Sequence, residues 1–258
     1  RVPFLHFFDG FRTSHEIQKV AVWDYKDLDE LLDHDAVNAF RRRSLNPEHP
    51  VQRGTAQNPD IFFQAREASN VYYDKAVGVV EDYMKAVNAK LGTKYKLFNY
   101  YGARDAEKVI IAMGSVCNTI EETIDYLNKN GEKVGLIKVH LYRPFSVKHL
   151  LAAMPKTVKK ISVLDRTKEP GSIGEPLYLD IVKDTKFSDV PVYTGRYGLG
   201  SKDTTPSQII AVYRNMDAKS PKKRFTIGIE DDVTKLSLKE KEHPDTTPKG
   251  TTSCKFWG

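Results

Sequence analysis

Only two cysteines occur in 258 residues, Cys117 and Cys254, with no C-x-x-C pair between them. That spacing excludes an iron–sulfur cluster or zinc site ligated by this chain's cysteines alone, and two isolated thiols suit a reducing compartment. No apolar run approaches the ~20 residues of a membrane span. Basic residues are not gathered in a stripe, and the net charge of +6 is mild for this length, which argues against nucleic acid as a partner. No G-x-G-x-x-G occurs: Gly114-Ser115 is too short, and Gly195–Gly200 runs G-x-x-G-x-G after a late strand. His15-Glu16 lacks the second histidine of a zinc-protease motif. No signal or transit peptide is recognisable. Both ends read as cut, because Val2–Phe8 opens on an apolar run and Cys254–Gly258 closes on aromatics.

What is present is a core-forming share of apolar residues, 40%, with an ordinary 29% charged. Phe4–Phe8 reads as a buried strand, and Thr13-x-x-Glu16 as a capping box beyond it. Asp9, Arg12 and His15 are left over as ligand-orienting or ion-pairing groups. Asp24–Arg43 has the apolar stripe of one helix, capped by Asp27 with Glu30 and ending on Arg41-Arg42-Arg43. Asp29, Asp33 and Asp35 lack EF-hand spacing and read as a solvated face. Asn46–Phe63, with Pro47, Pro50 and Pro59, reads as a long ordered loop. Glu67–Leu91 reads as one helix, closed by Gly92.

Lys94–Arg104 reads as a passage into a new domain. From Ala106 strands and helices alternate: strands Val109–Met113, Val134–Val139, Ile161–Leu164 and Val190–Thr194, with helices opened by Thr119-x-x-Glu122, by Ser146, by Glu175-Pro176 and by Thr205-Pro206. Four strands with interleaved helices predict a three-layer parallel α/β domain that folds over Gly102–Met216. Pro221–Arg224 reads as a basic linker, Phe225–Ile229 as a short strand and Lys235–Gly250 as a mobile loop.

The chain's most informative stretch is Ile161–Leu179. Its loop after the third strand, Asp165–Gly174, carries Asp165, Arg166, Lys168 and Glu169 at a strand's carboxyl end, where open parallel sheets meet their partners. It holds no His, Cys or serine–base pair, so a docking surface is expected rather than a catalytic one. Arg196, Lys202 and Asp203 stand at the next carboxyl end and join the docking set.

Four strings, Asp9–Glu16 (DGFRTSHE), Arg53–Glu67 (RGTAQNPDIFFQARE), Asp165–Asp180 (DRTKEPGSIGEPLYLD) and Gly195–Pro206 (GRYGLGSKDTTP), resemble the pyruvate:ferredoxin (flavodoxin) oxidoreductase family. The resemblance implies an internal piece: residues 1–101 would end a thiamine-diphosphate pyrimidine-binding α/β domain, 102–220 would form a transketolase C-terminal-like domain, and 221–258 would lead into the next. It implies no catalytic residue and no metal ligand in this piece, which would bind neither thiamine diphosphate nor iron alone. Thiamine diphosphate, magnesium, iron–sulfur clusters and the substrate coenzyme A would belong to the parent. Its partners would be its remaining domains, a second subunit of a homodimer, and ferredoxin or flavodoxin, in the cytoplasm or a hydrogenosome. Alternatives left open are a pyruvate:NADP or other 2-oxoacid oxidoreductase, and a nucleotide-binding α/β module.

Overall fold

The structure is a computed structural model and describes residues 2–17, 19–52, 54, 56–183, 187 and 189–257. Arg53 and Thr55, which belong to one of the four strings, lie outside the described residues. In chain order the elements are α1 (Phe11–His15), α2 (Tyr25–Leu31), α3 (His34–Arg42), α4 (Pro59–Ala68), α5 (Asn70–Leu91), β1 (Phe98–Gly102), β2 (Lys108–Ala112), α6 (Val116–Lys129), β3 (Val134–Val139), α7 (Val147–Ala153), β4 (Lys160–Asp165), α8 (Pro176–Val182), β5 (Val192–Arg196), a 3-10 turn (Leu199–Ser201), α9 (Pro206–Asp217) and β6 (Arg224–Thr226). They form two compact units: Arg1–Leu5 with Ile17–Lys96, and His6–Glu16 with Leu97–Gly258.

The first unit is helical. The single helix expected over Asp24–Arg43 is broken at Leu32, whose backbone is extended, and each half has its own cap: Asp24 accepts from the Lys26 N–H and Asp33 from the Ala36 N–H. Asp27 and Glu30 therefore do not cap. They grip Lys90 of α5, at 3.2 and 2.7 Å. The expected loop Asn46–Phe63 ends early, because Pro59 is the first residue of α4. A proline costs nothing there, its missing N–H having no helical partner in any case. Gly92 closes α5 in the left-handed conformation, φ 67°. Among the described residues of this unit only Ala76 is a buried apolar residue, while Phe62, Phe63, Tyr72, Val79 and Tyr83 stay exposed.

The second unit is the α/β domain. Its sheet runs β1-β3-β2-β4-β5-β6, with β1 antiparallel to β3 and every other pair parallel. Residues alternate between its faces. Ile110, Leu136, Leu164, Tyr193 and Phe225 build one cluster with Ile120, Ile124 and Leu127 of α6 and with Ile209, Val212 and Tyr213 of α9. α8 packs on β4 and α7 on β1, with Leu150, Leu177 and Ile181 buried. The parallel α/β layering is as the alternation predicts.

The edges differ from expectation. β1 lies inside the segment read as a passage between domains. Its Phe98-Asn99-Tyr100-Tyr101 alternates too weakly to announce a strand, yet its backbone pairs along the whole of β3. β6 adds the opposite edge, so the sheet exceeds the four strands of Gly102–Met216 on both sides. Lys235–Gly250 is not a free loop in its first part. Leu236–Leu238 pairs with Thr226, and Arg214 of α9 holds Glu242 with two hydrogen bonds of 2.7 and 3.1 Å. Two predicted capping boxes fail as well. Thr13 lies inside α1, and Thr119 lies inside α6, where its carbonyl accepts from Thr123. Phe4–Phe8, expected as a buried strand, belongs to no strand, and all five residues are exposed.

Candidate functional site

At the carboxyl ends of β2, β4 and β5 the loops of the second unit are joined by charged side chains. Asp9 reaches the loop after β2, where its Oδ2 accepts from the Ser115 N–H. Ser115 immediately precedes α6, whose unpaired N–H groups and positive dipole end favour a carboxylate. Gly114 makes this approach feasible on two counts: its φ is +83°, and a Cβ there would stand 2.6 Å from Asp9 Oδ2. The other oxygen of Asp9 lies 3.1 Å from Arg166 Nη1. Arg166, just past β4, also donates from Nε to the Gly198 carbonyl at 2.9 Å, on the loop after β5. Burial opposes the charge on Asp9, but the Ser115 N–H and Arg166 overcome it and hold the carboxyl below its ordinary range. One carboxylate and one guanidinium thus tie three loops together.

Arg12 adds an outer tie, Nη1 to Asp203 Oδ2 at 2.8 Å, with both side chains more than half exposed. A pair of that exposure contributes at most about 1 kcal/mol. His15 is not brought to this cluster. Its Nδ1 lies 2.6 Å from the Phe11 carbonyl, and its ring stacks on Phe11.

Under this junction lies a buried polar layer. Asp165, the last residue of β4, accepts from the Leu177 and Tyr178 N–H groups at 3.0 and 3.2 Å, and so caps α8 from ten residues upstream of Glu175. Glu175 holds the N-cap position but makes no cap bond. Its two oxygens instead accept from the Glu169 N–H and from Arg196 Nη1, each at 3.0 Å, with Arg224 Nη2 at 3.6 Å. Burial opposes the Glu175 charge too, yet the Glu169 N–H and the two guanidinium groups hold its carboxyl below the ordinary value. Asp165 goes the other way. Desolvation dominates over its two N–H bonds, Glu175 and Asp180 add repulsion, and its carboxyl is pushed up to about 6.

That opposition has a measurable consequence. A carboxyl whose folded pKa lies above its unfolded value of 3.8 makes the folded state the better proton binder between the two values. Its contribution is full below pH 3.8 and is lost as pH rises toward about 6. Asp9 and Glu175 have lowered values, so their contributions fade only on the acid side. We therefore expect the stability of the wild type relative to Asp165→Asn to fall by roughly 2–3 kcal/mol between pH 4 and pH 6. Urea titrations at both pH values check this, and a difference independent of pH would contradict it.

The docking set divides. Asp165 and Arg196 are buried and bonded inside the unit, so neither presents its charge outward. Arg166 is half-buried against Asp9. Lys168, Glu169, Lys202 and Asp203 are exposed. Sequence reading missed Glu175, Gly198, Ser115 and Arg224. Glu175 sits between Gly174 and Pro176 and passed for a helix opening. Arg224 passed for part of a basic linker, although Arg224-Phe225-Thr226 alternates as an edge strand does. Nothing in the sequence announces the backbone groups of Ser115 and Gly198.

Residues 1–85 match the family model for the pyruvate flavodoxin/ferredoxin oxidoreductase thiamine-diphosphate-binding domain, and residues 106–209 match that for pyruvate:ferredoxin oxidoreductase core domain II. Over 260 residues the chain is 60% identical to the pyruvate:ferredoxin oxidoreductase of Moorella thermoacetica. The chain belongs to the pyruvate:ferredoxin/flavodoxin oxidoreductase family. It is also 60% identical over 261 residues to a pyruvate-flavodoxin oxidoreductase of Enterobacter agglomerans. All of this chain is covered in both alignments, and it spans 22% of the length of each of these two relatives. A mitochondrial NADP-dependent pyruvate dehydrogenase of Euglena gracilis is 48% identical over 262 residues, with all of this chain and 14% of that protein covered.

At this junction Ser115, Arg166, Glu175, Arg196 and Gly198 fall inside the span matched to core domain II, and Asp9 and Arg12 inside the span matched to the thiamine-diphosphate-binding domain. The groups there do not fit a metal–diphosphate or cluster site. Among the described residues no three His, Cys, Asp or Glu side chains come together as metal ligands, and Asp9, Asp165 and Glu175 are engaged with N–H groups and guanidiniums. Cys117 is buried, and desolvation pushes its thiol up to about 12. No described helix is long and apolar enough to cross a membrane.

Proposed function

We propose that the complete protein carrying this chain decarboxylates pyruvate oxidatively on thiamine diphosphate with magnesium. It passes the electrons through iron–sulfur clusters to ferredoxin or flavodoxin and releases acetyl-CoA. The identity of 60% along the whole chain to a pyruvate:ferredoxin oxidoreductase is the observation that carries this reading. Within it, the second unit is a scaffold that holds neighbouring parts in place. Its charged side chains at the strand ends are spent on internal ties, and Lys168, Glu169, Lys202 and Asp203 are left exposed for other domains or the second subunit of a homodimer. The protein works in the cytoplasm or in an anaerobic organelle of the hydrogenosome kind.

The Euglena gracilis relative favours a second reading, with NADP+ as acceptor. A nucleotide-binding module is disfavoured, because the glycine loops are filled by side chains of the chain itself, Asp9 at Gly114 and Arg166 at Gly198. The test is an assay of the complete purified protein with pyruvate, coenzyme A and each acceptor in turn. Ferredoxin or flavodoxin is expected to be reduced in a pyruvate-dependent way and NADP+ is not. Reduction of NADP+ alone would favour the second reading, and no pyruvate-dependent reduction would overturn both.

A further inference from the structure

The segment His6–Glu16 belongs to the sheet-bearing unit, whereas its flanks, Arg1–Leu5 and Ile17–Lys96, belong to the first unit. Little besides charge fastens it. Among the described residues its backbone hydrogen bonds stay within the segment, from the Thr13 N–H to the Gly10 carbonyl and from the Glu16 N–H to the Arg12 carbonyl. The side-chain bonds of Ser14 and His15 stay within it as well. Phe7, Phe8 and Phe11 are between 62% and 69% exposed, so apolar burial holds it weakly. What reaches outward is Asp9, to Ser115 and Arg166, and Arg12, to Asp203.

Asp9 stands at a particular place in the sheet. β2 and β4 are neighbours, but the chain leaves them in opposite directions: β2 leads through α6 to β3 on one side, and β4 leads through α8 to β5 on the other. Such a divergence opens a crevice at the carboxyl ends, where open α/β sheets take their ligands. Ser115 follows β2 and Arg166 follows β4, so the two groups that hold the carboxylate come from the two lips of that crevice. Gly114 leaves it room, since a Cβ there would stand 2.6 Å from Asp9 Oδ2. A backbone N–H at a helix start and a guanidinium are the groups that recognise a free oxyanion. The carboxylate seated between them here is the chain's own.

We propose that His6–Glu16 is a displaceable strap and that Asp9 is the internal ligand of an oxyanion site in this crevice, whose place a free small carboxylate can take. A flexible tether gives its ligand an effective concentration of about millimolar, so a free carboxylate in roughly hundredfold excess competes with it. Arg12 adds only an exposed pair, which salt screens. The strap therefore opens while the sheet behind it stays folded. The site is defined by this chain alone, whatever acceptor the complete protein uses.

The experiment compares sodium formate with sodium chloride at equal ionic strength and neutral pH, for the wild type, Asp9→Ala and Asp9→Ala with Arg166→Ala. Two quantities are read: trypsin cleavage between Arg12 and Thr13, normalised to a free peptide substrate, and hydrogen exchange of the Ser115 amide, with Ile110 and Val163 of the buried strands as internal controls. Cleavage tracks the open population, so it is expected to be about tenfold faster in Asp9→Ala than in the wild type, and about threefold faster in formate than in chloride for the wild type. In Asp9→Ala, formate is expected to slow exchange at Ser115 about threefold and to leave Ile110 and Val163 unchanged, and adding Arg166→Ala is expected to abolish that slowing. Asp9→Asn, which keeps the shape and loses the charge, replaces Asp9→Ala if the latter does not fold. Cleavage no faster in the Asp9 variant than in the wild type would overturn the strap. Wild-type cleavage indifferent to formate would overturn the competition. Ser115 exchange indifferent to formate in the Asp9 variant, or slowed equally without Arg166, would overturn the oxyanion site.

Discussion

Arg166→Glu is expected to lower the stability of the sheet-bearing unit by about 3–5 kcal/mol, the range for breaking a buried ion pair from one side. Arg166 is 23% exposed and Asp9 only 10%, so water screens the new repulsion poorly. The substitution sets a carboxylate beside the Asp9 carboxylate and removes the donor to Gly198 O. It also weakens the hold of Asp9 on the Ser115 N–H at the amino end of α6. The loss should appear as a lowered denaturation midpoint with an unchanged slope. Hydrogen exchange should quicken at Ser115 and in the first turn of α6. Adding Asp9→Lys to Arg166→Glu should recover part of the loss in midpoint, since opposite charges face each other again. It should not restore the Ser115 amide, because an ammonium cannot accept its bond. A stability within about 0.5 kcal/mol of wild type would place Arg166 among ordinary surface residues.

Glu175→Ala is expected to cost as much, about 3–5 kcal/mol, for a different reason. Glu175 is fully buried and is the sole carboxylate within reach of the Arg196 and Arg224 guanidiniums among the described pairs. Its removal leaves Arg196, at 8% exposure, buried without a counter-charge and frees the Glu169 N–H. The helix itself should survive, because the α8 cap is supplied by Asp165 and not by the residue in the N-cap position. Glu175→Gln keeps an acceptor for Arg196 and should cost clearly less. Denaturation of the two variants side by side checks the order. A Glu175→Gln loss equal to that of Glu175→Ala would show that charge, and not the hydrogen bond, sets the cost. Little loss in either would show that the guanidiniums find water or another partner.

Much of the second unit is legible in the sequence because its strands are buried on both faces. Val109-Ile110-Ile111-Ala112 and Ile161-Ser162-Val163-Leu164 are short apolar runs that only a covered parallel strand tolerates. Thr205-Pro206 announces α9 by local chemistry alone, and Thr205 does accept from the Gln208 N–H. The edge strands escape for the opposite reason. β1 and β6 are covered less evenly, carry Asn99, Arg224 and Thr226, and owe their state to pairing with residues far along the chain. Capping motifs mislead where a distant carboxylate does the work. The amino end of α6 is met by Asp9 and that of α8 by Asp165, so the nearby Thr119 and Glu175 are released for other uses.

The candidate site shows the same limit. Asp9, Arg12, Arg166 and Asp203 are visible as charges without local partners, and the fold pairs them with one another. Asp165 and Arg196 look identical to them in the sequence, yet they point inward, because strand ends alternate between solvent and the layer below. Register decides which charge docks outward and which is spent inside, and register is a property of the assembled sheet.

The most direct measurement is a double-mutant cycle of Asp9→Ala and Arg166→Ala in the complete enzyme, read by denaturation and by pyruvate turnover together. A structural tie gives a coupling of about 1–3 kcal/mol in stability, with turnover per folded molecule falling less than about tenfold in any variant. Turnover abolished in Asp9→Ala or Arg166→Ala at unchanged stability, with no coupling between the two, would place this pair in the catalytic machinery and contradict the scaffold reading.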